Sequence, residues 1–129
     1  MKRHTAADLQ AMAAAGEASL YPSRPKITVG MATCGLAAGA DAVYDTLQQR
    51  IAQRGLDAIL ARTGCIGCCQ QEPMVDVRLP GAGRLIFTRV TRPLARSLVD
   101  ALARGEMPAE RAWAVIDEEE VLIENRIRR

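Results

Sequence analysis

The central part of the chain alternates between short apolar runs and one long amphipathic segment. Residues 27–32 and 58–61 are apolar runs of strand length. The segment between them has apolar residues at every fourth position: Val43, Leu47 and Ile51. That spacing predicts a helix over residues 40–54, which Gly55 would close. A helix between two strands is a βαβ unit, so we expect the two strands to be parallel.

Beyond residue 74 the pattern changes to strict alternation. Val75, Val77 and Leu79 alternate with polar residues, as in a half-buried strand. Pro and Gly residues at 80–83 predict a turn, and the chain would return as a partner strand over 84–90. Thr91 would cap a further helix. The order β-α-β-β-β-α predicts an α/β, thioredoxin-like fold: a four-stranded mixed sheet with helices on both faces.

The two ends of the chain predict helical extensions. Residues 1–25 contain a short helix over 5–17, with Thr5 as its cap, and a proline-containing linker. Residues 26–107 form the thioredoxin-like domain. Residues 108–129 are predicted to form a helical tail, with a helix over 118–128 that would pack on its own domain or dock on a partner.

Composition excludes several classes of function. The net charge of +2 over 129 residues, with basic and acidic residues interspersed, argues against nucleic-acid binding. No apolar run is long enough to span a membrane, and the N-terminus lacks the apolar core of a signal peptide. We therefore expect a cytoplasmic protein, in which clustered cysteines indicate metal or redox chemistry. The chain has a single histidine, His4, which argues against histidine-based catalysis and against a Cys₂His₂ zinc site.

The chemistry of the chain is concentrated in four cysteines. Cys34 follows the first predicted strand, and Cys65, Cys68 and Cys69 follow the second. Because parallel neighbouring strands end at the same edge of a sheet, we expect these thiols to meet there. Four soft thiolate donors suit an iron–sulfur cluster. Zinc binding, a Cys65–Cys68 dithiol and simple space-filling remain as alternatives.

The Glu72-Pro73 pair, just before the third predicted strand, is a weaker signal. Glu72 is expected to be a solvated charge, with hydrogen bonding behind the cysteines as the alternative. Pro73 is expected to begin the strand, and shaping of the cysteine loop is the alternative.

Two stretches, residues 27–40 and 63–75, resemble the thioredoxin-like [2Fe–2S] ferredoxin family. The resemblance is closest to the ferredoxin domains of NADH-binding flavoprotein subunits in complex I-like dehydrogenases and hydrogenases, and it covers about residues 5–107. It implies a low-potential one-electron carrier with a [2Fe–2S] cluster. The partner would be an NADH-binding flavoprotein or a hydrogenase or dehydrogenase subunit, and a homodimer is a candidate assembly.

The resemblance also implies the ligands. In that family the second loop supplies two cysteines at a Cys-x₃-Cys spacing, which falls on Cys65 and Cys69. The first loop normally supplies two more, and here it contains only Cys34. The expected cluster and metal ligands are therefore Cys34, Cys65 and Cys69, with Cys68 as the fourth.

Three functions are open on these grounds. The first is a [2Fe–2S] electron carrier that performs no bond chemistry on a substrate and acts as the electron-transfer component of an oxidoreductase complex. The second is a clusterless thioredoxin-like docking module of a flavoprotein redox complex. The third is a dithiol or zinc protein.

Overall fold

A computed structural model describes residues 4–106 and 108–116, which form one mixed sheet with helices. The strands are β1 (Lys26–Gly30), β2 (Ile59–Thr63), β3 (Val75–Arg78), β4 (Arg84–Phe87) and β5 (Ala114–Ile116). Their order across the sheet is β2-β1-β3-β4-β5. β1 and β2 are parallel, and the other neighbouring strands are antiparallel.

The helices are α1 (Ala6–Leu20), α2 (Thr33–Ala37), α3 (Ala40–Arg54) and α4 (Arg92–Ala103). Their ends follow local rules. Thr5 and Asp8 form a capping box at the start of α1, and Thr91 accepts a hydrogen bond from the Leu94 N–H at the start of α4. Gly55, in the left-handed region at φ 60°, ends α3. None of the helices in the described part of the chain is long and apolar enough to cross a lipid bilayer.

The hydrophobic core lies between one face of the sheet and two helices. α3 and α4 pack against each other, and both contribute to the same buried cluster. The strand residues in this cluster occupy alternate positions: Ile27, Val29, Val75, Val77, Leu85 and Phe87. Full burial of one such side chain stabilises the fold by roughly 1.5–3 kcal/mol.

The predicted thioredoxin-like α/β class, the order of its elements and the parallel β1–β2 pair are confirmed. Two details differ. α3 and α4 share one face of the sheet, because the strand residues on the other face include the polar Thr28, Asp76 and Arg84. The sheet also has a fifth strand, β5.

β5 lies in the segment predicted to be a helical tail. It pairs with β4, and the Trp113 N–H donates a hydrogen bond to the Ile86 carbonyl at 2.7 Å. Three residues carry too little periodicity for a sequence-based prediction, and the neighbouring edge of β4 determines their conformation. The predicted helix over 118–128 lies outside the described residues.

Candidate metal centre

The parallel pair of strands brings the two cysteine-containing segments together. Gly30 at the end of β1 is opposite Thr63 at the end of β2. The Met31 N–H donates to the Thr63 carbonyl at 2.9 Å, which extends the pairing one residue further. Cys34 and Cys65 follow these ends within a few residues. The predicted meeting of the two loops at one sheet edge is therefore confirmed.

Three of the four thiols form a compact group, which we call the cysteine trio: Cys34, Cys65 and Cys69. Their sulfur atoms all lie within 4.8 Å of one another, and Cys65 Sγ is 3.5 Å from Cys69 Sγ. Cys65 and Cys69 are exposed, whereas Cys34 is half-buried. Three thiols at these separations are within reach of one soft metal ion or of the irons of a cluster.

Cys68 is not a member of the trio, although it was predicted as the fourth ligand. It is half-buried and precedes the 3₁₀ turn Cys69–Gln71, and its carbonyl accepts a hydrogen bond from the Gln71 N–H at 2.8 Å. The loop therefore places Cys65 beside Cys69. A dithiol in this loop would consist of that pair, not of the Cys65–Cys68 pair that the CxxC spacing indicated.

Cys34 is positioned by a close approach of α2 to the end of β1. Residues 33–37 form the short helix α2, in which Gly35 is buried. A Cβ atom on Gly35 would lie only 2.3 Å from the Gly30 carbonyl oxygen. Only glycine permits this contact, and it holds the neighbouring Cys34 next to the other thiols.

Gly67 shapes the loop between the other two members of the trio. Its φ of 92° is in the left-handed region, which favours glycine. In this conformation its N–H donates a hydrogen bond to Cys65 Sγ at 3.2 Å. Donation to the sulfur stabilises the thiolate.

Hydrogen bonds from Gly67 and among the trio shift two of its thiol pKa values in opposite directions. The Gly67 N–H, followed by contacts with Cys34 and Cys69, lowers the pKa of Cys65. The contact with Cys65, followed by that with Cys34, raises the pKa of Cys69 to about 11. Of this pair, Cys65 is therefore the thiol with the lower pKa and ionises first.

Alkylation of the metal-free protein tests this ordering. At about pH 8, limited iodoacetamide should modify Cys65 before Cys69, because the thiolate is the nucleophile and the Cys65 pKa is the lower one. Mass spectrometric fragmentation of the peptide containing both cysteines would measure the ratio. Equal or preferential modification of Cys69 would contradict the assignment.

Glu72 is buried, and the prediction that it is a solvated charge is wrong. The side chain is 8% exposed, not solvated, and its Oε2 accepts a hydrogen bond from the Met74 N–H at 2.7 Å. A Cβ atom on Gly30 would lie 2.8 Å from Glu72 Oε1. The sequence contained one signal of this tight packing. Gly30 and Gly35, on either side of Cys34, have no side chains and leave room for Glu72.

The chain is 33% identical over 85 residues to the NADP-reducing hydrogenase subunit HndB of Solidesulfovibrio fructosivorans, which covers 65% of this chain and 68% of the relative. No family model matches the chain.

Solved structures with the same fold include a thioredoxin-like [2Fe–2S] ferredoxin from Aquifex aeolicus. One structure of it has a TM-score of 0.60 at 17% identity, covering 72% of this chain and 93% of that one. A structure of the wild-type protein has a TM-score of 0.59 at 20% identity, covering 74% and 99%. At this level of identity the likeness shows a common fold.

Proposed function

Because this chain belongs to the thioredoxin-like [2Fe–2S] ferredoxin family, we propose that it is a one-electron carrier built around a [2Fe–2S] cluster. The single observation that supports this most strongly is the cysteine trio. Segments that are thirty residues apart in sequence contribute sulfur atoms that lie within 4.8 Å of one another. A space-filling role would not require exposed Cys65 and Cys69 at the same sheet edge.

The donor set fits the cluster in three of its four ligand positions. Thiolates are the usual ligands of [2Fe–2S] centres, and Cys34, Cys65 and Cys69 supply them. We assign Cys68 as the fourth donor, because it is the remaining thiol and belongs to the same loop. When bound, the cluster would supply reversible one-electron transfer.

The residues of the chain would hold the cluster and tune its surroundings. The Gly67 N–H, which donates to Cys65 Sγ, would stabilise the negative charge on that sulfur. The exposed positions of Cys65 and Cys69 would bring the cluster close to the protein surface, where an electron can pass to a partner.

The surface beside the trio suits contact with such a partner. Ile66, between the two exposed cysteines, is 61% exposed, and Leu36 in α2 is 49% exposed. Apolar side chains at an exposed redox site favour docking of another protein. We propose that the partner is an NADH-binding flavoprotein or another hydrogenase or dehydrogenase subunit, since the HndB relative is a hydrogenase subunit. Both would be cytoplasmic, where thiols stay reduced.

Anaerobic purification tests the proposal. We expect brown protein with about two iron and two sulfide per chain and an axial EPR signal after dithionite reduction. Colourless protein without metal would favour the clusterless docking module, and zinc in place of iron would favour a zinc site. Catalysis of insulin disulfide reduction would instead favour a dithiol protein.

A further inference from the structure

Glu72 lies beside the cysteine trio with its carboxylate enclosed by the protein. The Glu72 side chain is 8% exposed. The residue directly follows the 3₁₀ turn Cys69–Gln71. Its Oε2 would be 3.4 Å from a Cβ atom on Gly35, the residue next to Cys34. The carboxylate is therefore close to both segments that supply the trio.

The packing around the carboxylate is tight on the sheet side. Its Oε1 would be 2.8 Å from a Cβ atom on Gly30, so the absence of a side chain there makes room for it. The Met74 N–H donates to Oε2 at 2.7 Å and fixes the orientation. The position of the Glu72 carboxylate thus depends on Gly30 and on the backbone N–H of Met74, the residue before β3.

In the described part of the chain, the Glu72 carboxylate is held by a backbone hydrogen bond and not by a cation. Within residues 4–106 and 108–116, the carboxylate forms a hydrogen bond with the Met74 N–H but no ion pair. Arg84 lines the same cavity, of about 300 Å³, but its guanidinium is 2.8 Å from Asp76 and pairs with that carboxylate. A charge enclosed by protein acts on nearby groups with less screening than a charge in solvent.

We propose that Glu72 supplies a fixed negative charge beside the cysteine trio, which strengthens cation binding there and makes a bound cluster harder to reduce. The second half of this inference rests on the proposed electron-carrier function, and the first half does not. Reduction adds one electron from a donor to the cluster site, so a nearby negative charge opposes it. The same charge attracts a divalent cation.

Glu72→Gln removes the charge and keeps an amide oxygen that can accept the Met74 N–H bond. In metal-free protein, Cd²⁺ titration followed by thiolate-to-metal absorption should show roughly tenfold weaker binding than in the wild type. In cluster-loaded protein the reduced form should be favoured roughly tenfold, which moves the midpoint potential up by about 59 mV for one electron.

Two variants separate charge from packing. Asp57→Asn removes an exposed carboxylate at the opposite end of β2, and it should leave both measurements within about twofold of the wild type. Glu72→Asp keeps the charge but alters the packing, and it should also stay near wild-type values. Shifts in Glu72→Asp as large as those in Glu72→Gln would show a structural effect and overturn the proposal.

Wild-type Cd²⁺ affinity in Glu72→Gln would also overturn it. If no variant assembles a cluster, the electron-carrier proposal fails, and the Cd²⁺ titration still decides the role of Glu72. If Glu72→Gln does not fold, Glu72→Asp is compared with Asp57→Asn. Weaker Cd²⁺ binding in Glu72→Asp but not in Asp57→Asn would overturn the charge role. Wild-type Cd²⁺ binding in Glu72→Asp would support the charge role.

Discussion

Replacement of Cys34, Cys65 or Cys69 by alanine is expected to reduce cluster-bound iron and sulfide to below roughly a tenth of the wild-type content. Each variant removes one of the three sulfur atoms that lie within 4.8 Å of one another. Two thiols of the trio would then be left to hold the irons, and thiolate ligation is what keeps such a cluster in a protein. Iron and sulfide assays on protein purified without oxygen would measure the loss.

Two further variants in the same loop complete the test: Ile66→Ala is the control, and Cys68→Ser probes the proposed fourth ligand. Ile66→Ala removes an exposed apolar side chain and should retain full cluster content. Cys68→Ser keeps the trio and offers an oxygen at the proposed fourth position, so we expect retained iron with altered visible and EPR spectra. Unchanged spectra would assign the fourth position to another donor. Full cluster content in any alanine variant of the trio would refute the role of that cysteine.

Gly35→Ala is expected to destabilise the fold by about 3 kcal/mol and to lower cluster content with it. The added Cβ would lie 2.3 Å from the Gly30 carbonyl oxygen, a backbone atom that cannot rotate away. α2 would have to move from the end of β1, and Cys34 would move with it. Urea denaturation would measure the free energy of unfolding, and iron content would report the displacement of Cys34.

Two other glycines provide matched controls for this substitution. Gly64→Ala places a Cβ in open space within the cysteine loop and should change stability by no more than about 0.5 kcal/mol. Gly16→Ala, in the exposed helix α1, should stabilise the protein by roughly 0.5–1 kcal/mol. If Gly35→Ala were as stable as these two variants, the close approach of α2 to β1 would not be required.

The sequence predicted most of the fold because its signals are local and periodic. The spacing of Val43, Leu47 and Ile51, with Gly55 beyond them, predicted residues 40–54, and α3 spans Ala40–Arg54. The alternation around Val75 and Val77 predicted β3, in which both side chains are buried. β5 could not be predicted in this way, since its three residues pair with an edge that only the folded sheet provides.

The candidate site was predictable in outline for a topological reason. A parallel βαβ unit places the ends of its two strands side by side, so the segments containing Cys34 and Cys65 had to meet. The choice among Cys65, Cys68 and Cys69 was not determined by this rule. It depends on the left-handed Gly67 and on the 3₁₀ turn after Cys68, which decide the direction of each side chain.

By itself, the sequence determined the order of the elements, the parallel strand pair and the meeting of thiols at one sheet edge. These features follow from the spacing of apolar residues and from the order in which the chain connects the elements. Only the tertiary structure decided that α3 and α4 share a face, that Cys68 lies outside the trio and that Glu72 is buried. These features depend on close contacts between segments distant in sequence, such as Gly35 against Gly30, and no local pattern encodes a distance of that kind.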